Sequence, residues 1–218
     1  MELAQARFNM IEQQIRPWDV LDQRVLDLLE VLHRENFVSD SNKSLAYADV
    51  SIALDHGEFM MPPKVEARLV QALNIKDNEQ VLEIGTGSGY VTAMLAKMAA
   101  HVTSVDIHED FLAQAKSRLD AYDISNVTLE HGDASNGWKA DEATYDVIAI
   151  TGSLPQYIDA FQKSLNVGGR LFVIVGQAPI METLLITRVT MGEWVKQSLF
   201  ETDLAPLQNA STPSRFVF

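Results

Sequence analysis

Cysteine is missing from all 218 residues. That excludes disulfides, thiolate metal sites and a cysteine nucleophile, and it suits a reducing compartment, the cytoplasm. No apolar run approaches about 18 residues, so no segment is expected to span a bilayer. The N-terminal MELAQARFNMIEQQIR has no basic stretch followed by an apolar run, so no secretory signal is expected. Basic side chains are scarce: 17 Lys and Arg stand against 30 Asp and Glu, a net charge of −13. A surface that acidic repels phosphate backbones and anionic lipid heads, which argues against nucleic acid and membrane surfaces as partners. None of the five histidines has an acid four residues away, so no metal site is expected from spacing. No G-x-S-x-G elbow offers a hydrolase nucleophile. Trp18, Trp138 and Trp194 are scattered and read as packing residues.

What is present is ordinary globular material, 47% hydrophobic and 22% charged. Up to about residue 71 the apolar residues recur at helical spacing. Val25, Leu28, Leu29 and Leu32 mark one amphipathic helix, and Val65, Leu69 and Leu73 mark a second after Pro62-Pro63. Proline suits the first helical turn, where its missing N–H would have no partner. Phe37 to Met61 reads as a long ordered loop. From Gln80 to Gly176 short β-branched runs, 81–84, 102–105, 127–129, 147–150 and 171–175, alternate with helical stretches at 91–98, 111–119 and 156–165. Such alternation predicts βαβ units and a parallel sheet covered on both faces. Two more strand candidates, 184–189 and 194–199, flank a turn at Gly192 and would form a hairpin at one sheet edge. The expected fold is therefore α/β, a Rossmann-like, doubly wound, mostly parallel sheet with an N-terminal helical cap and a C-terminal hairpin. One domain over 1–218 is expected, divided into a cap (1–78), a binding core (79–178) and C-terminal strands (179–218).

The first core strand runs through Glu83 into Gly85-Thr86-Gly87-Ser88-Gly89 and then into a helix. Glycines there let a ligand approach the backbone, and the C-terminal end of a first parallel strand is where open α/β sheets bind nucleotides. The spacing is G-x-G-x-G, not the dinucleotide G-x-G-x-x-G, and no Lys-Ser/Thr pair marks a P-loop. A plain tight turn is the alternative. Asp106 ends the second strand, 21 residues after Gly85, where a carboxylate can accept hydrogen bonds from both ribose hydroxyls of an adenosine. The alternative is a cap for the next helix. His131-Gly132-Asp133 ends the third strand, where the carboxylate could reach an adenine amino group or simply shape a turn.

Taken with Gly137-Trp138, these segments resemble the protein L-isoaspartyl (D-aspartyl) O-methyltransferases. Arg34-Glu35-Asn36-Phe37-Val38, Ala46-Tyr47-Ala48-Asp49, Thr151 to Pro155, Gly168-Gly169-Arg170, Val175-Gly176 and Asp203-Leu204-Ala205-Pro206-Leu207 extend the likeness along nearly the whole chain. The resemblance implies transfer of a methyl from S-adenosylmethionine to a carboxylate of damaged aspartyl residues, leaving S-adenosylhomocysteine. It implies cofactor contacts from Glu83, the Gly85–Gly89 turn, Asp106-Ile107, Gly132-Asp133 and Thr151. The implied partner is a protein or peptide substrate, or a small-molecule acceptor. The family usually carries Gly-Gln-Thr-x-Ser-x-Pro where acceptor and cofactor meet. Here Gly57-Glu58-Phe59-Met60-Met61-Pro62-Pro63 replaces it, so both hydroxyls are gone. Phe59, Met60 and Met61 are thus candidates for the acceptor loop, and no catalytic residue is assigned. A divergent member acting on a more apolar acceptor, or a cofactor-binding module without isoaspartyl transfer, are the alternatives.

Overall fold

The structure is a computed structural model and describes residues 2–139 and 143–212. The N-terminal part forms helices α1 (Leu3–Met10) and α2 (Gln23–Val31). Asp22 starts α2 by accepting the Arg24 N–H at 2.9 Å, which satisfies an otherwise unpaired donor of the first turn. Val25, Leu28, Leu29 and Leu32 are buried, as their spacing predicts. Helix α3 (Pro63–Leu73) begins on its proline and buries Val65, Leu69 and Leu73. The segment between α2 and α3, expected as loop, also holds a two-stranded ladder, β1 (Ile52–Ala53) on β2 (Phe59–Met60). Strands of two residues leave no periodicity for a sequence to display.

The main sheet contains β3 (Gln80–Ile84), β4 (His101–Asp106), β5 (Val127–His131), β6 (Tyr145–Leu154), β7 (Leu165–Gln177), β8 (Ile180–Arg188) and β9 (Trp194–Thr202). Their spatial order is β5-β4-β3-β6-β7-β8-β9. Pairings from β5 through β7 are parallel, and β8 and β9 add an antiparallel hairpin at the edge. Helices α4 (Tyr90–Ala96), α5 (Glu109–Asp120) and α6 (Asp159–Lys163) make the crossovers. The expected helix at 156–165 is shorter because Leu165 already opens β7. Alternate strand residues feed opposite faces. Val81, Val147 and Phe172 join the core under α2, α3 and α4, while Leu82, Ile148 and Val173 pack with Phe161 of α6. Burial of both faces explains the unbroken apolar runs.

From β3 the chain winds outward through β4 and β5, then returns to add β6 and β7 on the other side. This reversal opens a crevice beyond the C-terminal ends of β3 and β6, the usual ligand position in such sheets. No helix among the described residues is long and apolar enough to cross a membrane.

Candidate functional site

The crevice holds an open cleft between the ends of β3, β4 and β6 and residues 204–208. Its floor is the turn after β3. Gly85 donates its N–H to the Val105 carbonyl at 2.8 Å, which fixes the turn to β4. Thr151, on β6, hydrogen-bonds through its hydroxyl to the Gly85 and Ile84 carbonyls at 2.6 and 2.8 Å. Its one proton is therefore spent on the floor, while the oxygen can still accept a hydrogen bond. Thr86 is buried with its hydroxyl 2.6 Å from that of Ser104, and Ser88 accepts the Tyr90 N–H at 3.3 Å.

Asp106 ties two backbone groups, and the residue that caps α5 is His108 rather than Asp106. One oxygen accepts the His108 N–H at 2.9 Å, just before α5, and the other accepts the Gly87 N–H at 2.8 Å. Its carboxylate lies on the cleft wall beside Ile107 and keeps acceptor capacity, because a carboxylate can take about four hydrogen bonds. Gly132 and Asp133 line the same wall. A side chain at Gly132 would run into the Trp138 ring at 2.6 Å, so glycine is what lets that indole lie over the backbone. Asp133 accepts the Ser135 N–H and the Asn209 amide, each at 2.9 Å. The Ser135 N–H, more than any other contact, holds its carboxyl below the ordinary aspartate range.

Four residues expected at the ligand do not line the cleft: Thr86 and Ser88 border a neighbouring cavity, and Glu83 and Gly89 are turned away. Glu83 is fully buried behind the turn, accepting hydroxyl donations from Thr92 and Ser104 on one oxygen. Burial pushes its carboxyl up to about 8. Strand alternation turns this side chain toward α4, so it braces the turn from behind. Gly89 does not line the cleft. Its missing side chain makes room for Ala115 of α5, 2.9 Å from where a Cβ would stand.

The acceptor-loop candidates do meet the cleft. Phe59 lines the cleft and remains 47% exposed, whereas Met60 and Met61 are buried along a smaller neighbouring cavity. Sequence reasoning missed the roof. Residues 203–207, expected among the C-terminal strands, make only an isolated bridge from Pro206 to Ser153, and 204–208 line the cleft as a strap. The Gln208 amide donates to Glu58 at 2.7 Å and lies 3.1 Å from the His108 ring, joining strap, lip and α5. The spacing argument against metal sites also missed one arrangement. His56, His108 and Asp110 bring one ligand atom each within 4.8 Å of one another. The two imidazoles stack at 4.0 Å, and His56 lies 2.9 Å from Asp110, pulling that carboxyl below its ordinary range. The partners come from segments 54 residues apart, so no local spacing could reveal them.

A doubly wound sheet with a glycine turn, a strand-end carboxylate and a cleft at the strand-order reversal defines a Rossmann-like fold of the methyltransferase type. The family model for protein-L-isoaspartate(D-aspartate) O-methyltransferase matches residues 5–211, and the chain belongs to that family. A protein-L-isoaspartate O-methyltransferase of Protochlamydia amoebophila is 38% identical over 180 residues, covering 83% of this chain and 84% of that one. One from Serratia proteamaculans is 34% identical over 201 residues, 92% of this chain and 95% of the other. A Plasmodium falciparum structure of the same family, in complex with S-adenosyl-L-homocysteine, superposes with a TM-score of 0.77 at 17% identity, covering 95% and 99% of the two chains. At that identity the likeness speaks for the fold.

Proposed function

We propose that this chain is an S-adenosylmethionine-dependent methyltransferase acting on the carboxylate of isoaspartyl residues in damaged proteins or peptides. The observation that carries the reading is the Asp106 carboxylate on the cleft wall, tied to the Gly87 N–H, in a chain of this family. The residues present fit an adenosyl ligand: Asp106 for the ribose hydroxyls, Gly85 for the floor, and Gly132 and Asp133 for the base. When bound, the cofactor supplies an electrophilic methyl group on a sulfonium. The protein's own part is alignment and exclusion of water, since a carboxylate acceptor is already anionic and needs no general base. Phe59, Leu54 and Leu207 border the cleft as apolar screens. Cysteine-free composition fits a cytoplasmic repair role.

Two results test the adenosyl site and the acceptor. Gly87 has φ +48, in the left-handed region, with Leu54 3.4 Å from a would-be Cβ. Gly87→Val adds a β-branched side chain under strain there. Calorimetry should show S-adenosylhomocysteine affinity reduced more than about tenfold with the fold kept. Normal binding by that variant would reduce Gly87 to a turn residue.

One observation favours a second reading, transfer to a more apolar acceptor. Phe59 and Met61 stand where hydroxyls would orient a carboxylate, and neither can donate a hydrogen bond. The unmodified protein is expected to methylate an isoaspartyl peptide slowly. Phe59→Thr with Met61→Ser should raise turnover on the order of a hundredfold, the scale of one aligned donor, at unchanged cofactor affinity. Labelled S-adenosylmethionine offered with the isoaspartyl peptide and with a cell extract separates the readings. Label in small apolar molecules and none in the peptide would favour the second.

A further inference from the structure

Beside the cleft lies a cluster that methyl transfer does not use. His56 belongs to the lip between β1 and β2, and His108 and Asp110 stand where the chain enters α5. One ligand atom of each comes within 4.8 Å of the other two. His56 Nε2 already faces the two Asp110 carboxylate oxygens at 3.0 and 2.9 Å. Two donors about 2.1 Å from a shared zinc ion, at the tetrahedral angle, stand roughly 3.4 Å apart. One edge of a coordination polyhedron is therefore in place, and the third ligand has at most about 1.4 Å to close.

These side chains are held in place rather than free at the surface. The two imidazoles stack at 4.0 Å, and Phe111 of α5 packs edge-on against both at 5.3 Å. The Gln208 amide nitrogen donates to Glu58 at 2.7 Å and faces His108 Nε2 at 3.1 Å. A nitrogen that donates to the carboxylate is a donor toward the ring as well, so His108 Nε2 presents a lone pair, the form that ligates a metal. His56 takes φ +59, a left-handed conformation that is uncommon for any residue with a side chain. An ion can still enter from solvent, because the His56 and Asp110 side chains are 40% and 50% exposed.

We propose that His56, His108 and Asp110 form a site for a divalent transition metal of the zinc class, and that the ion clamps the lip to the start of α5. Two imidazoles and one carboxylate suit zinc and its neighbours, whereas magnesium and calcium prefer shells made of oxygen. Three protein ligands leave a fourth position for water. His56 lies three residues before Phe59, and His108 two residues after Asp106, so the ion joins the lip to the wall that carries Asp106. The site does not depend on which ligand the cleft takes. If the same contacts were only a hydrogen-bonded clasp between lip and α5, zinc would show no preference for them.

Zinc chloride titrated into the metal-free full chain, followed by calorimetry, should bind one ion per chain in the micromolar range or tighter. His56→Asn suits the left-handed backbone and removes the imidazole. It should weaken zinc at least about tenfold, since even residues behind the ligands commonly change metal affinity that much. Asp110→Asn keeps an acceptor for His56 but loses the charge, and should weaken zinc by a similar factor. His33→Asn removes a histidine placed elsewhere, 3.9 Å from Glu35, and should leave zinc binding unchanged. Magnesium chloride should bind at least about tenfold more weakly than zinc. Hydrogen exchange locates the ion: zinc should slow amide exchange over residues 54–60 and 107–111 in the unmodified protein and not in His56→Asn. Absence of stoichiometric zinc binding overturns the proposal, as does exchange in those segments that zinc leaves unchanged. Zinc binding that survives both His56→Asn and Asp110→Asn, or that magnesium matches, also overturns it and shows an adventitious ion only, drawn by the net charge of −13.

Discussion

Asp106→Ala is expected to lower affinity for S-adenosylhomocysteine by roughly 100-fold or more. Two ribose hydroxyls on one carboxylate are two hydrogen bonds to a charged group, each about 1.5–3 kcal/mol. Even the lower end of that sum corresponds to about a hundredfold. The structure adds a second loss. Asp106 also accepts the Gly87 and His108 N–H groups at 2.8 and 2.9 Å, so alanine loosens the floor of the cleft and the start of α5 together. A stability decrease of about 2 kcal/mol should accompany the binding defect, close to the worth of one charge-assisted bond. Asp106→Asn separates the two effects, because its single carbonyl oxygen can still accept one backbone N–H. That variant should recover part of the stability and little of the affinity. An unchanged dissociation constant in either variant would remove Asp106 from the cofactor site.

The parts of this site that were legible in the sequence are local ones. The turn at 85–89 is a contiguous strand–turn–helix, Asp106 follows directly on the apolar run 102–105, and Gly132-Asp133 comes two residues after the run 127–129. Parallel pairing then places neighbouring strand ends side by side, as the registers Ile84 with Val105 and Asp106 with His131 show. The pattern did not say which way each side chain turns. Glu83 and Gly89 sit inside the motif yet face Thr92 and Ala115, away from the cleft. Contacts made over long chain separations were invisible for a different reason. The Gln208 bond to Glu58 joins positions 150 residues apart, and neither residue belongs to a periodic element that would announce it. Glu66, buried and bonded at 3.0 Å to the buried Arg34, was hidden by its helix: Val65, Leu69 and Leu73 declare α3 amphipathic, and a carboxylate beside them reads as solvated until Arg34, from a 3-10 turn after α2, is seen beneath it.

That buried pair gives the largest expected effect on stability. Arg34→Met should destabilise the protein by at least about 4 kcal/mol at neutral pH, since removing one partner strands the other charge in a dry interior. The Ala46 and Met61 carbonyls lose their donor in the same step. For a chain of this size the melting temperature should fall by roughly 10 °C or more. Arg34→Lys should rescue little, because an ammonium cannot supply the forked donors that reach Glu66, Ala46 and Met61 at once. The pH dependence identifies Glu66 as the stranded group. Its folded carboxyl already lies above the ordinary glutamate range because burial outweighs the attraction of Arg34, and losing the cation raises it further. An acid with a raised folded pKa binds more protons folded than unfolded, so stability falls as pH rises from the unfolded carboxylate value near about 4.3 toward the folded one. The deficit of Arg34→Met relative to the unmodified protein should therefore be smallest at the acid end of that window and grow toward neutrality, by no more than about 1.4 kcal/mol per pH unit. Denaturant unfolding of both proteins at several pH values reads this directly. A deficit that does not change with pH would mean that lost packing and unpaired carbonyls, not the Glu66 charge, dominate. The double variant Arg34→Met with Glu66→Met supplies the complementary check: deleting the stranded carboxylate should return stability above that of Arg34→Met alone, a coupling that a purely steric loss would not produce.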